Sequence, residues 1–129
     1  MSDVSRKRIL VIDDAALVRS YYRAALEANG FHVEEALNGL EGLEKLLLEP
    51  FDLAIVDVNM PRMDGMTFLQ TLRAKELPVS GIPVLVTSTE AEAQDLAAAR
   101  RAGANYYLVK PISQEMLAEY AAMFCGAPR

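Results

Sequence analysis

Five short apolar runs punctuate the chain, and between them the apolar positions fall at helical spacing. Arg8 to Asp14, Leu53 to Asp57 and Pro83 to Ser88 carry unbroken aliphatic segments too short for helices, as strands buried on both faces do. Phe31 to Ala36 is more polar, which suits a sheet edge. Asn105 to Lys110 reads as a fifth strand, broken by Pro111. Ala15 to Asn29 predicts a first helix with Leu17, Val18, Tyr21, Ala25 and Leu26 on its inward face, closed by Asn29-Gly30. Asn38 caps a second, running through Leu40, Leu43 and Leu46-Leu47-Leu48 to Glu49, where Pro50 stops it. A third spans about Met66 to Ala74, with Phe68, Leu69 and Leu72 inward. Glu90 to Ala102 is an alanine-rich fourth, ended by Gly103. Ser113 caps the fifth, whose packing candidates are Met116, Leu117, Tyr120, Met123 and Phe124.

Strict alternation of strand and helix predicts an α/β domain with a parallel sheet covered on both faces. Right-handed crossovers bring the carboxyl end of every strand to one edge, where open α/β sheets bind ligands. The 129 residues are 52% hydrophobic and 24% charged, enough for a core without a disulfide or structural metal. A single domain over 1–129 is therefore expected, with 1–7 as a flexible N-terminus and no output domain. The only cysteine, Cys125, points to a reducing compartment and packs at the end of the last helix. No apolar run reaches membrane-spanning length, and no signal region follows the basic start. A net charge of −5 argues against nonspecific nucleic-acid binding. The expectation is a cytoplasmic protein with neither membrane nor nucleic acid as a partner.

Asp13-Asp14 after the first strand, Asp57 on the third, Ser88 on the fourth and Lys110 on the fifth share that edge. Three carboxylates in one crevice repel one another unless a cation answers them. A hard divalent ion such as Mg²⁺ takes carboxylates, a backbone carbonyl, waters and phosphate oxygens. Lys110 can hold a phosphate as a point charge, and Ser88 or its neighbour Thr87 offers a hydroxyl. A carboxylate nucleophile, a metal, an ammonium and a hydroxyl compose a phosphoryl-transfer site. A plain salt bridge between Lys110 and surplus acids would leave the meeting of four strand ends unexplained.

Four motifs carry a family resemblance: Val11-Ile12-Asp13-Asp14, Val56-Asp57-Val58-Asn59-Met60-Pro61-Arg62-Met63-Asp64-Gly65, Val86-Thr87-Ser88-Thr89-Glu90 and Tyr107-Leu108-Val109-Lys110-Pro111. Together they resemble response-regulator receiver domains, most closely the stand-alone chemotaxis (CheY-like) type, over essentially the whole chain. The resemblance implies a doubly wound (βα)5 flavodoxin/CheY-like fold with strand order 2-1-3-4-5. It also implies a two-component switch in chemotaxis or a related phosphorelay. Such a protein is a phosphoacceptor rather than an enzyme, although it catalyses its own phosphotransfer and autodephosphorylation. Asp57 would take phosphate from the phosphohistidine of a sensor histidine kinase or phosphotransfer protein. Asp13, Asp14, Asp57 and the Asn59 backbone carbonyl would hold Mg²⁺, with Mn²⁺ as an alternative.

On the same resemblance, Lys110 and Thr89 lie at the phosphoryl group, and Tyr107 is the switch aromatic. The family hydroxyl stands 22 residues before the lysine, which selects Ser88 over Thr87. Asn59 and Glu90 fill the two positions that tune dephosphorylation. The Lys110–Pro111 bond would be cis, an isomer that X–Pro bonds permit. The output surface would be the fourth helix, fifth strand and fifth helix, presented to a protein target or to a second copy of the chain.

That surface departs from the flagellar-motor-binding pattern, because Glu92-Ala93 and Tyr120 stand where such relatives carry lysines. Thr89, where many relatives have Ala or Gly, crowds the entrance to Asp57. Alternative readings fit less well. A Mg²⁺-dependent aspartyl-phosphate phosphohydrolase of the haloacid-dehalogenase type needs a second acid two residues after the nucleophile, where this chain has Asn59. A flavodoxin-like carrier needs a Ser/Thr- and Gly-rich phosphate loop after the first strand, and these acids would repel an FMN phosphate. A phosphorylation-independent receiver-fold adaptor has no use for the full set of site residues. His32 sits by the second strand, away from the acids, and reads as structural or exposed.

Overall fold

The computed structural model describes residues 6–126. β1 (Arg8–Ile12), β2 (His32–Ala36), β3 (Leu53–Asp57), β4 (Val84–Ser88) and β5 (Tyr106–Val109) form one parallel sheet in the order β2-β1-β3-β4-β5. α1 (Ala16–Glu27), α2 (Gly39–Leu48), α3 (Gly65–Arg73), α4 (Ala93–Ala102) and α5 (Gln114–Cys125) alternate with them, and a turn of 3₁₀ helix, Val79–Gly81, precedes β4. The expectation of a flexible N-terminus falls largely on residues 1–5, outside the described residues. Lys7, at its end, accepts a hydrogen bond from the His32 amide through its carbonyl (2.9 Å).

The sheet is the core. β3 and β4 are buried at every position, and β1 at all but its first, which is why their sequences are unbroken aliphatic runs. Side chains alternate across the sheet. Ile9, Val11, Leu53, Ile55 and Leu85 pack with α1 and α5 on one face, whereas Leu10, Ile12, Ala54, Val56, Val84 and Val86 pack with α2 and α3 on the other. Asn38, Asp64 and Ser113 cap their helices by accepting the amides of Glu41, Thr67 and Met116. Gly42 lets α2 settle against β1, because a Cβ there would lie 2.5 Å from the Ile12 methyl. Lys110–Pro111 is cis, and so is Leu77–Pro78.

Three helices bury only part of the set the spacing suggests: Ala25, Leu26, Leu43, Leu46 and Leu117 are buried, and Val18, Tyr120 and Phe124 pack against the core, but other expected positions face solvent. On α1, Leu17 is 86% and Tyr21 43% exposed, while Tyr22 and Arg19 are buried beside Ala25 and Leu26. The stripes Leu17–Tyr21 and Val18–Tyr22 both follow the i, i+4 rule, so period alone cannot rank them. The second wins because Arg19 beside it is satisfied internally, by the Asp13 carbonyl and the Glu35 carboxylate. On α2, Leu40, Leu47 and Leu48 face solvent, and the glycines and Leu43 and Leu46 face the sheet. On α5, Met116 and Met123 are exposed, whereas Leu117, Ala118, Ala121, Ala122 and Cys125 are buried. α4 starts at Ala93 rather than Glu90. The segment before it is held as a loop by the Ser88 hydroxyl, which accepts the Glu90 amide, and by the Tyr107 hydroxyl, which donates to the Glu90 carbonyl.

Candidate functional site

β1 and β3 end side by side and β5 lies one strand beyond β3, across β4, so the residues that follow them meet at one edge. Asp13 follows β1 and is 2% exposed, Asp57 closes β3 and is 7% exposed, and Asp14 is open to solvent. One carboxylate oxygen from each lies within 4.8 Å of the other two. Lys110 follows β5, and its amide is tied to the Ser88 carbonyl (2.8 Å). Its ammonium sits 3.1 Å from Asp57 Oδ1 and 3.3 Å from Asp13 Oδ2. Asp13 is fixed at both ends: its Oδ1 accepts the Ala15 amide (2.9 Å) and its carbonyl accepts Arg19 Nη1 (2.6 Å). Gly65 brings the start of α3 against the phosphoacceptor candidate, since a Cβ there would stand 2.7 Å from the Asp57 carbonyl oxygen.

The charges are unbalanced. Burial raises the Asp57 carboxyl above its ordinary range; Lys110 pulls it back, and the charges of Asp13 and Asp14 push it up again. Burial alone would lower Lys110, but its bond to Asp57 and the charges of Asp13 and Asp57 reverse that and hold the ammonium above its usual range. Among the described residues, one cation therefore faces three acids. The donor set is all hard oxygen, the ligand type Mg²⁺ takes, and its atoms are gathered within 4.8 Å of one another. The residues present thus fit a hard divalent cation.

The remaining candidates surround this centre. Ser88 is buried at the end of β4, and Asn59 is exposed two residues beyond Asp57 in a loop closed by the Gly65 amide on the Val58 carbonyl (2.9 Å). Thr89 joins Leu17, Tyr21, Tyr22, Lys110 and Ile112 in lining an apolar cleft of about 400 Å³. Tyr107 is half-buried, and its hydroxyl bond to the Glu90 carbonyl (2.9 Å) links β5 to the loop after β4. His32 lies on the edge strand, 2.7 Å from Glu34, away from the acids. Arg19 and Tyr22 are the neighbours that the sequence reading missed. The available signal was an arginine and a tyrosine three apart, in phase with Leu26 on a helix leaving a carboxylate pair.

Comparisons with known proteins agree with this geometry. The response regulator receiver domain family matches residues 9–122. The response regulator MprA of Mycobacterium ulcerans is 38% identical over 117 residues, covering 90% of this chain and 49% of that protein. The transcriptional regulatory protein PrrA of Mycobacterium leprae is 36% identical over 121 residues, covering 93% and 51%. The chain thus spans about half the length of these curated relatives. Among solved structures, the chemotaxis protein CheY4 of Vibrio cholerae superposes with a TM-score of 0.86 at 31% identity, covering 92% of this chain and 98% of that one. A CheY-like receiver domain protein of Methanospirillum hungatei gives 0.85 at 30%, covering 94% of each. With its acids, lysine and hydroxyl gathered at the carboxyl edge of a 2-1-3-4-5 sheet, this chain belongs to the response regulator receiver domain family of two-component signalling.

Proposed function

We propose that Asp57 is phosphorylated by a histidine kinase or phosphotransfer protein, and that Asp13, Asp14, Asp57 and the Asn59 carbonyl hold the Mg²⁺ (or Mn²⁺) that this requires. The observation that carries the reading is a nearly buried carboxylate with an ammonium at 3.1 Å and two further carboxylates within 4.8 Å. When bound, the metal neutralises acid charge and draws the phosphoryl oxygens to the site. The chain's own residues do the rest. Asp57 attacks phosphorus, its carboxylate oxygen forming the new bond as the donor's nitrogen or oxygen leaves, and Lys110 shifts from the carboxylates to the incoming charge. Asn59 and Glu90 flank the acyl phosphate and set how readily water reaches it.

Phosphorylation puts a dianion where only acids stood. Ser88 answers it by releasing the Glu90 amide and donating its hydroxyl to the phosphoryl group, with Lys110 as the second contact. Charge-assisted hydrogen bonds contribute about 1.5–3 kcal/mol each, so two approach the ~5.5 kcal/mol that inverts a 1:99 equilibrium. The loop that moves is the one Tyr107 grips through the Glu90 carbonyl, which passes the change to β5. The output surface is α4, β5 and α5. There Tyr106 stacks on Tyr120 at 4.7 Å with Phe124 at 6.1 Å, and Val109 and Met116 are exposed, so the face suits an apolar protein target or a second copy of the chain. The similarity to CheY4 supports a place in chemotaxis or a related phosphorelay. The test is incubation with phosphoramidate with and without Mg²⁺, followed by intact mass. A phosphoryl adduct that needs Mg²⁺ and is missing from Asp57→Asn supports the reading; an adduct of equal yield in Asp57→Asn refutes it.

A further inference from the structure

Leu17 is the most exposed large apolar side chain among the described residues, at 86%, and it stands on the first turn of α1, three residues after Asp14. It lines the apolar cleft of about 400 Å³ together with Val18, Tyr21, Thr89, Lys110 and Ile112. The cleft is drawn from the same three connections that carry the site. Leu17 follows the Asp13-Asp14 pair, Thr89 follows Ser88, and Ile112 lies two residues beyond Lys110. Its walls are tied together: the Tyr21 hydroxyl donates to the Ile112 carbonyl (3.1 Å), and Gln114 Nε2 donates to the Tyr21 carbonyl (3.2 Å). Packing within the chain does not account for it, since Leu17 and Tyr21 stay in water although Val18 and Tyr22 beside them pack inward.

Among the described residues, Lys110 is the one charged side chain in the lining, and its ammonium lies 3.1 Å from Asp57 and 3.3 Å from Asp13. One side chain thus belongs to both the cleft and the acid centre. The cleft offers hydrocarbon, and the ammonium offers a contact for an anion. A molecule that satisfies both has an apolar body joined to a phosphoryl group.

We propose that the cleft is a leaving-group subsite: it seats the apolar chain of a small acyl phosphate whose phosphoryl group lies against Lys110 for transfer to Asp57. The inference rests on the phosphoacceptor reading above and names a class of small donor for it. An Asp57 carboxylate oxygen forms the bond to phosphorus as the bond from phosphorus to the acyl oxygen breaks. The electron pair of that bond leaves with the tail as its carboxylate, so no proton or electron carrier is needed. Lys110 stays with the phosphoryl group, and the apolar chain rests against Leu17, Tyr21 and Ile112.

The test compares second-order rate constants for uptake from acetyl phosphate and butyryl phosphate with Mg²⁺, read by intact mass. The two leaving carboxylates are of matched basicity, so the ratio reports the tail. A fully buried methylene is worth about fourfold, so two in an open cleft should favour butyryl phosphate about four- to fifteenfold. Leu17→Ser changes an exposed position and should bring the ratio to within about twofold of one. A ratio of one in wild type overturns the proposal. So does a butyryl preference that survives Leu17→Ser while uptake from a phosphorylated donor protein slows, which would assign the cleft to a protein segment. If wild type is labelled by neither donor nor by phosphoramidate, the phosphoacceptor reading fails, and binding judges the cleft separately. Butylphosphonate should shift the Leu17 methyl resonances, assigned with Leu17→Ser, and methylphosphonate should not; equal shifts or none overturn the subsite.

Discussion

Replacing Lys110 with methionine keeps most of the side-chain volume and removes the ammonium that pairs with Asp13 and Asp57 in a three-acid centre. At an effective dielectric of about 20, a unit charge pair at 3.1 or 3.3 Å is worth about 5 kcal/mol, so the ammonium contributes roughly 10 kcal/mol of gross attraction. Three carboxylates no farther apart than 4.8 Å oppose one another by at least about 3.5 kcal/mol per pair, again roughly 10 in all. The two sums nearly cancel with lysine present and leave net repulsion without it. Solvent discounts this heavily, since Asp14 is exposed and the Lys110 side chain is 21% exposed. Breaking a buried pair costs about 3–5 kcal/mol, so about 2–3 kcal/mol is expected here, or about 10 °C in thermal midpoint for a chain this long.

The assay is thermal unfolding followed by far-UV circular dichroism, in EDTA and in saturating Mg²⁺. Mg²⁺ should stabilise Lys110→Met by more than it stabilises wild type, because in the variant the ion meets no competitor for the carboxylates. The pH dependence has a definite sign. Asp57 titrates above its ordinary range in the folded protein, so the stability linked to its proton is present at low pH and lost as pH rises through the raised value. The deficit of the variant should therefore shrink below the ordinary carboxylate range and open above it. Equal midpoints in EDTA at neutral pH, or an equal gain from Mg²⁺ in both proteins, would refute the charge balance.

Three further predictions follow from neighbouring residues. Ser88→Ala should still be phosphorylated but should leave Tyr107 in its resting environment, observed in the tyrosine NMR spectrum; a wild-type response on phosphorylation would remove Ser88 from the switch. Thr89→Ala should open the approach to Asp57 and speed uptake from small phosphodonors about threefold or more, and an unchanged rate would sink the crowding argument. Gly65→Ala places a methyl 2.7 Å from the Asp57 carbonyl oxygen and 2.9 Å from the Val58 Cα, both backbone, and should cost about 1–3 kcal/mol in urea unfolding. Full stability in that variant would mean that the close approach of α3 to β3 is not needed.

What the sequence displayed best was the sheet. Aliphatic runs ending in Asp13-Asp14, Asp57, Ser88 and Lys110 specify buried parallel strands, and parallel topology alone carries those ends to one edge. The helices were less legible. An amphipathic period does not reveal whether Leu17 and Tyr21 or Val18 and Tyr22 meet the sheet, because the decision belongs to a tertiary partner, the Asp13 carbonyl and Glu35 waiting for Arg19. The early start expected for α4 failed for a similar reason. Glu90 has good helical neighbours, yet its amide and carbonyl are claimed by Ser88 and Tyr107.

The most direct measurement of the central claim is to identify the phosphorylated residue itself. The protein is treated with phosphoramidate and Mg²⁺, reduced with borohydride to convert an aspartyl phosphate to homoserine, digested and sequenced by tandem mass spectrometry. Homoserine is expected at position 57 alone, with none when Mg²⁺ is replaced by EDTA. Homoserine at position 13 or 14 instead, or phosphate retained on another side chain with Asp57 intact, would contradict it.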